Sequence, residues 1–373
     1  MPRVLVVSHP AVLAVNQLPY AALTGLGWDV HLVVPARWRH EYSDDEFDFE
    51  RLPELGDRVV GIPVFKSGAV QRHVYRCRAS SLLRERRPDV LFAEEEPTSL
   101  PAWQWGRAAH SAGVPFGLQM DENLDRDYHP AAKAIRRWTL ANSAFIAARS
   151  PAAVRLARRW GADCELPVVP HAVPAWDAVP SAPKRDAFTV GFAGRLIEEK
   201  GIWDLVEAMK GLDGSRLRLI GNGALVPALR DTTAAGVEIE IVTDIKHDEM
   251  PAAYGSIDVL VLPSRTTPTW AEQFGRVLVE AMWCGVPVVG SSSGEIPWVI
   301  EATGGGLVFP EGDVSALRAT LSRLRDDPRL REQLATAGRD AVEARFSVEA
   351  AAADLDQALR AALPAGHRAA AAA

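Results

Sequence analysis

The sequence predicts an α/β fold made of two parallel-sheet domains, and three observations carry that expectation. Short apolar, β-branched runs alternate with helical periods; the alternation starts afresh near Phe188; and a stretch dense in proline and small residues divides the two series. A length of 373 residues suits two domains of similar size better than one core, so a cleft between them is expected. The expected boundaries are a first domain over 1–174, a linker over 175–187 and a second domain over 188–346. A helix over 347–363 packs back on the first domain, and 364–373 form a flexible tail.

RVLVVSHP opens the chain as a buried strand ending in a loop. A helical pattern follows to about Leu26, and WDVHLVVP is the second strand, which completes a βαβ start. DVLFAEEEP and VPFGLQMDEN continue at buried-strand length, each ending in polar residues where a strand's carboxyl end opens to a ligand. ELPVVPHAVPAWDAVPSAPKRDAF reads as the hinge. The second series is FTVGFAG, SRLRLIGNG, EIEIVT, DVLVLPS, GVPVVGSSSG and GGGLVFP, with helical patterns between most of them. After Phe346 an alanine-rich helix runs to about Leu363, and GHRAAAAA is low-complexity.

An apolar fraction of 48% with 24% charged residues is an ordinary soluble composition with ample core material. No apolar run reaches the ~20 residues of a membrane span, and the N-terminus enters a strand directly, so a cytoplasmic location is expected. Cys77, Cys164 and Cys284 are scattered, which argues against a disulfide framework and a thiolate metal site. The net charge of -7 is uneven: residues 1–185 carry +2 and the remainder -9. Lys66, Arg72, Arg76, Arg78, Arg84, Arg86 and Arg87 are read as lying on one helix. A solvated face is the plainer reading of that run; weak peripheral contact with an anionic acceptor or the inner face of a membrane is the sharper one. No nucleic-acid partner is expected.

GRLIEEKG, Gly194 to Gly201, follows a strand directly. A glycine turn between strand and helix aims backbone N–H groups at an anion above the sheet, and Arg195 and Lys200 add two full charges. The spacing is not that of a Walker A loop, and GNGALV lacks the third glycine of a dinucleotide fingerprint. In TWAEQFGRVLVEAMWCG the apolar stripe Val277, Leu278, Ala281 and Met282 predicts a buried helix, yet Glu280 lies beside it and Glu272 precedes it. Carboxylates rarely enter cores without a partner, and a pair of vicinal sugar hydroxyls offers two donors to one acceptor-only group.

With these motifs in order, the chain resembles the retaining glycosyltransferases of family 4, which have the GT-B fold: two Rossmann-like domains facing each other across a cleft. GRLIEEKG is similar to that family's diphosphate loop, and E-Q-F-G-R-V-L-V-E to its E-x(7)-E motif; LRLIGNG, DVLVLPS, EAMWCGVPVVGSSSGEIPWVI and GGGLVFPEGD match further. The resemblance is dense over about 150 residues of the second half and looser in the first, through EEEPTSL and LQMDENL.

The resemblance implies transfer of a sugar from a nucleoside diphosphate to an acceptor hydroxyl with retention. No cofactor or metal is then required. Arg195, Lys200 and Glu272 take the catalytic roles. The donor is held by Gly194, Arg195, Lys200, Asn222, Thr243, Glu272, Phe274, Gly275, Arg276 and Glu280, with Glu280 on the ribose and Ile241 to His247 near the base. An acceptor sugar, lipid-linked glycan or small-molecule aglycone meets the first domain, where His9, Asn16, Glu95, Glu96, Asp121 and Asn123 are the candidates. RTTPTWA is longer than the common family form, so Trp270 and Arg265 are expected to shape the sugar pocket. Asp121, Glu122 and Asn123 stand where many relatives have a histidine, and the first loop lacks their paired glycines, which leaves Asn16 and Gln17 as candidates there. A sugar-nucleotide epimerase, a phosphorylase and a non-catalytic nucleotide-sugar-binding subunit are the alternatives.

Overall fold

A computed structural model describes residues 1–39, 46–174, 176, 187–232 and 237–364. Most of the expected 175–187 linker and of the 364–373 tail lies outside the described residues. Contacts divide the chain into two compact units, Met1–Pro174 with Val348–Ala373, and Ala175–Ser347.

The first unit contains strands β1 (Arg3–Ser8), β2 (Asp29–Pro35), β3 (Arg37–Arg39), β4 (Glu46–Asp48), β5 (Val59–Ile62), β6 (Val64–Phe65), β7 (Val74–Tyr75), β8 (Val90–Glu94), β9 (Phe116–Met120) and β10 (Phe145–Ala148). Its helices are α1 (Leu18–Gly25), α2 (Ala79–Arg86), α3 (Leu100–Ser111), α4 (Pro130–Asn142) and α5 (Pro151–Arg159). Six strands form one parallel sheet in the order β10-β9-β8-β1-β2-β5, while β3-β4 and β6-β7 are small antiparallel ribbons. Alternate residues of β1 serve opposite faces: Leu5 and Val7 pack with Leu91, Trp105 and Phe116, whereas Val4 and Val6 pack with Tyr20, Trp28 and Val30. A sheet covered on both faces needs near-continuous apolar strands, which is why RVLVV and DVLFA read as they do.

The second unit contains β11 (Phe188–Ala193), β12 (Ser215–Ile220), β13 (Ile239–Val242), β14 (Val259–Leu262), β15 (Val288–Ser291) and β16 (Gly306–Phe309). Its helices are α6 (Ile202–Met209), α7 (Val226–Thr232), α8 (Met250–Tyr254), α9 (Arg276–Trp283), α10 (Ile296–Thr303), α11 (Val314–Asp326) and α12 (Pro328–Arg345). The sheet order β13-β12-β11-β14-β15-β16 repeats that of the first unit, and every pairing is parallel. Both units are therefore doubly wound, with the strand order reversing beside β1 and beside β11. In such sheets ligands bind outside the carboxyl ends of the strands at that reversal.

Helix α13 (Val348–Ala362) returns to the first unit. Ala352, Leu355 and Leu359 join the cluster of Tyr20, Leu23 and Trp28. The Trp28 indole N–H donates to Asp356 Oδ1 at 2.6 Å, and Arg360 Nη2 donates to the Leu26 carbonyl at 2.7 Å.

Two expectations are corrected. The helical pattern after β1 starts only at Leu18, because Pro10 to Gln17 form two short 3-10 turns. The basic run does not share a helix: α2 begins at Ala79, whereas Lys66, Arg72 and Arg76 lie in the β6-β7 ribbon and its loop. Left-handed backbone at Lys66 (φ 56) and Gly68 (φ 83) interrupts the helical period, and Arg76 stacks over Phe65 at 4.9 Å. The continuous cationic face that favoured an anionic or membrane-borne acceptor is absent from α2. None of the described helices is long and apolar enough to cross a membrane.

The turns after β11 and β12 are packed backbone to backbone. Gly221 has φ 137, and a Cβ there would lie 1.9 Å from the Gly194 carbonyl oxygen. Gly214 (φ 72) has the same backbone restriction, but a Cβ there would meet no atom within 4 Å. Gly214→Ala is expected to cost about 1–3 kcal/mol from backbone conformation alone. Gly221→Ala must add a displaced loop to that cost, so its urea midpoint falls further; equal midpoints would remove the steric argument.

Candidate active site

In the second unit, the chain leaves β11 through Gly194 and Arg195 beside the turn after β12. Gly194 N–H donates to the Ile220 carbonyl at 2.9 Å and Leu196 N–H to the Asn222 carbonyl at 2.8 Å. Asn222 caps its own turn, its side-chain oxygen accepting the Gly223 N–H at 2.8 Å. Arg195 is half-buried in this loop. A 3-10 turn, Glu198–Lys200, ends at Gly201 (φ 65), where a Cβ would lie 2.0 Å from the Pro263 carbonyl oxygen. Only glycine allows this approach, and it brings Lys200 to the carboxyl end of β14.

There Lys200 Nζ meets Glu272 Oε2 at 2.6 Å, and Ser264 Oγ donates to the same oxygen at 2.7 Å. Glu272 is buried, and the Lys200 ammonium also lies 5.1 Å from the Trp270 ring centre. The Glu272 carbonyl accepts the Glu295 N–H at 3.0 Å, which ties the lengthened loop to the start of α10. The phosphate-loop lysine and the first acid of the E-x(7)-E motif thus meet directly.

Gly275 (φ 79) turns the chain into α9. Glu280, buried on that helix, accepts Arg276 Nε on Oε1 at 2.9 Å and the Tyr254 hydroxyl on Oε2 at 2.7 Å. Burial, followed by the charge of Glu280, raises the Tyr254 pKa well above normal, so the hydroxyl remains a donor. A carboxylate offers about four acceptor directions, so two further donors can be accommodated. Trp176 lies 5.5 Å from the His247 ring and 6.4 Å from that of Tyr254. Burial lowers the His247 pKa against the opposing charge of Glu280, so the end of the Ile241–His247 segment and Glu280 feel one field.

Several expected site residues have partners within the protein. Phe274 is 3% exposed, with its ring 6.1 Å from Trp298 and 5.9 Å from Phe346, so it anchors the loop by packing. Arg265 forms a two-pronged pair with Asp204 at 2.6 and 2.5 Å, and the Trp270 ring centre lies 5.1 Å from Lys200. The Thr243 hydroxyl donates to neighbouring Asp244 at 2.8 Å. In α9, Val279 rather than Val277 completes the buried stripe, since a helix started by Gly275 turns that face toward β14.

In the first unit, the adjacent acids after β8 are neutralised by protein groups rather than left to solvent. Glu94 accepts Ser8 Oγ and Arg149 Nη2, both at 2.5 Å. Asp121 is shared by His171 at 2.9 Å and Arg149 at 3.6 Å. Glu96 accepts the N–H groups of Asp121 at 2.7 Å and Glu122 at 3.0 Å; burial and then the charge of Asp121 push its pKa up to about 8. Glu122 is buried and bound by the Arg126 guanidinium and the Tyr128 hydroxyl, while Asn123 is half-buried beside it.

Glu95 lies between two imidazoles. His9 Nδ1 is 3.0 Å from one carboxylate oxygen and His73 Nε2 is 3.5 Å from the other. Burial opposes ionisation of Glu95, but the two histidines outweigh it and hold the pKa at about 2. Burial also opposes protonation of His9, and Glu95 reverses that, raising its pKa. The Asn16 amide donates to the Pro10 carbonyl at 2.8 Å and braces the loop. Gln17 is fully buried and bonded to Ala11, Glu50 and Leu52 backbone.

Sequence alone does not single out Tyr254, Ser264, Asp204 or His73. Ser264 ends the recognised DVLVLPS strand and could have been found there; the others meet their partners only through the fold.

Two family models cover most of the chain: one described as glycosyl transferases group 1 over residues 177–341, the other as a glycosyl transferase 4-like domain over residues 17–173. The chain belongs to the group 1 glycosyltransferases. It is 29% identical over 337 residues to the 2-deoxystreptamine glucosyltransferase of Streptomyces kanamyceticus, covering 81% of this chain and 84% of that one. Identity to the lipopolysaccharide core biosynthesis glycosyltransferase LpsD of Rhizobium meliloti is 26%, covering 77% and 79%. Among solved structures, sucrose-phosphate synthase from Thermosynechococcus elongatus superposes with a TM-score of 0.71 at 20% identity, covering 96% of this chain and 98% of that one. Anabaena HepE in complex with UDP gives 0.70 at 16%, covering 96% and 99%. Such likeness shows the fold: this glycosyltransferase has the GT-B architecture of two Rossmann-like units.

The buried Lys200–Glu272 pair makes a measurable claim. Its side chains are 12% and 10% exposed, so a double-mutant cycle of Lys200→Met with Glu272→Gln should give a coupling above about 1 kcal/mol in unfolding. The exposed Lys210–Glu207 pair should show no comparable coupling. Equal coupling in both would mean that solvent screens the buried pair as well.

Proposed function

We propose that this glycosyltransferase moves a sugar from a nucleoside diphosphate to an acceptor hydroxyl, retaining the anomeric configuration, with no metal acting at the diphosphate. The observation that carries the reading is the Lys200–Glu272–Ser264 cluster beside the Arg276–Glu280–Tyr254 cluster, both around the carboxyl end of one parallel sheet.

In this reading Arg195 and Lys200 receive the diphosphate. Its negative charge grows as the glycosidic bond breaks, so cations fixed there favour the transition state over the bound donor. Their charge does what a divalent ion does in other sugar transferases. Glu272, held by Lys200 and Ser264, accepts hydroxyls of the donor sugar, and the remaining acceptor directions of Glu280 take the ribose hydroxyls. His247 and Trp176 border the base, and the backbone of Gly194, Asn222 and Gly275 contributes close approach. The HepE structure with bound UDP supports a nucleotide donor of this kind.

The acceptor is held by the first unit, with His9, Glu96, Asp121 and Asn123 at the carboxyl ends of β1, β8 and β9. A small polyhydroxylated acceptor is favoured over a membrane-borne one. Two relatives matched over most of their length carry 2-deoxystreptamine in their names, and the basic helical face that pointed to an anionic surface is absent.

Thermal shift with UDP, GDP, dTDP and ADP sugars should single out one base by a raised melting temperature. With that donor, Lys200→Ala should lower kcat by about 10²–10³-fold, the scale of one lost transition-state contact. Glu280→Ala should act mainly on donor KM, and both variants should remain folded. Normal turnover in both refutes the assignment. Sugar conversion without an acceptor would identify an epimerase instead.

A further inference from the structure

We propose that His9, His73 and Glu95 form a binding site for one divalent transition-metal ion, best suited to zinc, in the first unit. The proposal concerns chemistry separate from the diphosphate and does not depend on the transfer reading. One ligand atom from each residue lies within 4.8 Å of the other two. They come from three separate segments: His9 follows β1, His73 precedes β7 and Glu95 follows β8.

Three observations distinguish this cluster from an incidental contact. The first is the state of His73. It is 0% exposed, and its Nδ1 lies 2.9 Å from the Val70 carbonyl, which makes that nitrogen the N–H donor. Its Nε2 is buried without a hydrogen-bond partner and faces Glu95 Oε1 at 3.5 Å. That geometry aims a ring nitrogen and a carboxylate oxygen at each other across a buried gap, where a cation can take both as ligands.

The second is the outer layer. Metal-binding histidines usually donate their other ring N–H to a carbonyl or carboxylate, and metal-binding carboxylates are themselves hydrogen-bonded. His73 follows the first pattern through Val70, and Glu95 Oε1 follows the second by accepting the His9 backbone N–H at 3.3 Å. The segment carrying His73 is held from α3: Gln104 donates to the Tyr75 carbonyl at 2.8 Å and accepts the Tyr75 N–H at 3.0 Å. The Trp38 ring lies 5.3 Å from His9 and 5.0 Å from His73, and Tyr75 lies 5.4 Å from His73. These rings limit water around the nitrogen atoms.

The third is spacing. Metal–ligand bonds of about 2.0–2.1 Å in a tetrahedron place ligand atoms roughly 3.3 Å apart. His9 Nδ1 is 3.0 Å from Glu95 Oε2 and His73 Nε2 is 3.5 Å from Glu95 Oε1, and with one ligand atom per residue all three lie within 4.8 Å, so small side-chain shifts bring them onto one ion. Two imidazoles and one carboxylate suit zinc and leave a fourth position for water or a hydroxyl. His9, whose side chain is 15% exposed, gives that position its route to solvent.

The test uses the untagged full-length chain, stripped with a chelator and titrated with Co2+, whose visible absorption reports low-coordinate geometry, and then with Zn2+. One Co2+ per chain with a tetrahedral or five-coordinate spectrum is expected, displaced by Zn2+, together with a rise in melting temperature. His9→Ala changes a partly exposed ligand and should weaken binding at least tenfold and abolish the spectrum; His9→Asn serves if that variant does not fold. Failure of the wild-type chain to take up stoichiometric Co2+ overturns the site. Binding unchanged in the His9 variant also overturns it, by placing the metal on other histidines.

Discussion

A carboxylate that leaves water must find its partner inside the protein, and that requirement organises both ends of this chain's chemistry. In the second unit, the loop after β11 has to advance until Lys200 reaches Glu272, and this advance is what presses Gly201 against the Pro263 carbonyl. The loop after β14 has to return until its own backbone meets α10 at Glu295. The ion pair joins the two loops beside the backbone bond from Arg265 N–H to the Glu199 carbonyl at 2.8 Å. Glu280 sets a similar demand on α8, from which Tyr254 must reach α9.

The first unit meets the same requirement with different residues. Its acids at the carboxyl ends of β8 and β9 each have donors within the protein: arginine and serine for Glu94, imidazoles for Glu95, backbone N–H groups for Glu96, histidine with arginine for Asp121, and Arg126 with Tyr128 for Glu122. Two sheets with one strand order thus present unlike surfaces, one dominated by a lysine–glutamate contact and the other by a histidine pair. Strand order decides where a site can form; the loop residues decide what the site can bind.

Much of this was legible in the sequence because it is local. Parallel strands declare themselves as unbroken apolar runs, and glycines at Gly194, Gly201, Gly221 and Gly275 mark turns that no other residue makes easily. Glu272 and Glu280 stood out because they contradicted the pattern around them. What stayed hidden depends on long-range packing. Nothing in the sequence near Arg265 names Asp204, 61 residues earlier, and nothing near Tyr254 names Glu280. The basic run misled for the opposite reason: even spacing of arginines imitates a helix, while Lys66 and Gly68 adopt backbone angles that end one. Phe274 lay inside a recognised motif, yet its ring is spent on Trp298 and Phe346.

Helix α13 sets an order on synthesis. The sheet strands of the first unit precede the second unit in the chain, but the helix that covers α1 follows it. Trp28 waits 328 residues for the carboxylate of Asp356, and Leu23 waits for Leu355 and Leu359. Through that interval the apolar surface around α1 has no cover from its own chain, while the whole second unit is made and can fold as a local parallel sheet. The packing around α1 is therefore completed only after the second unit has been synthesised.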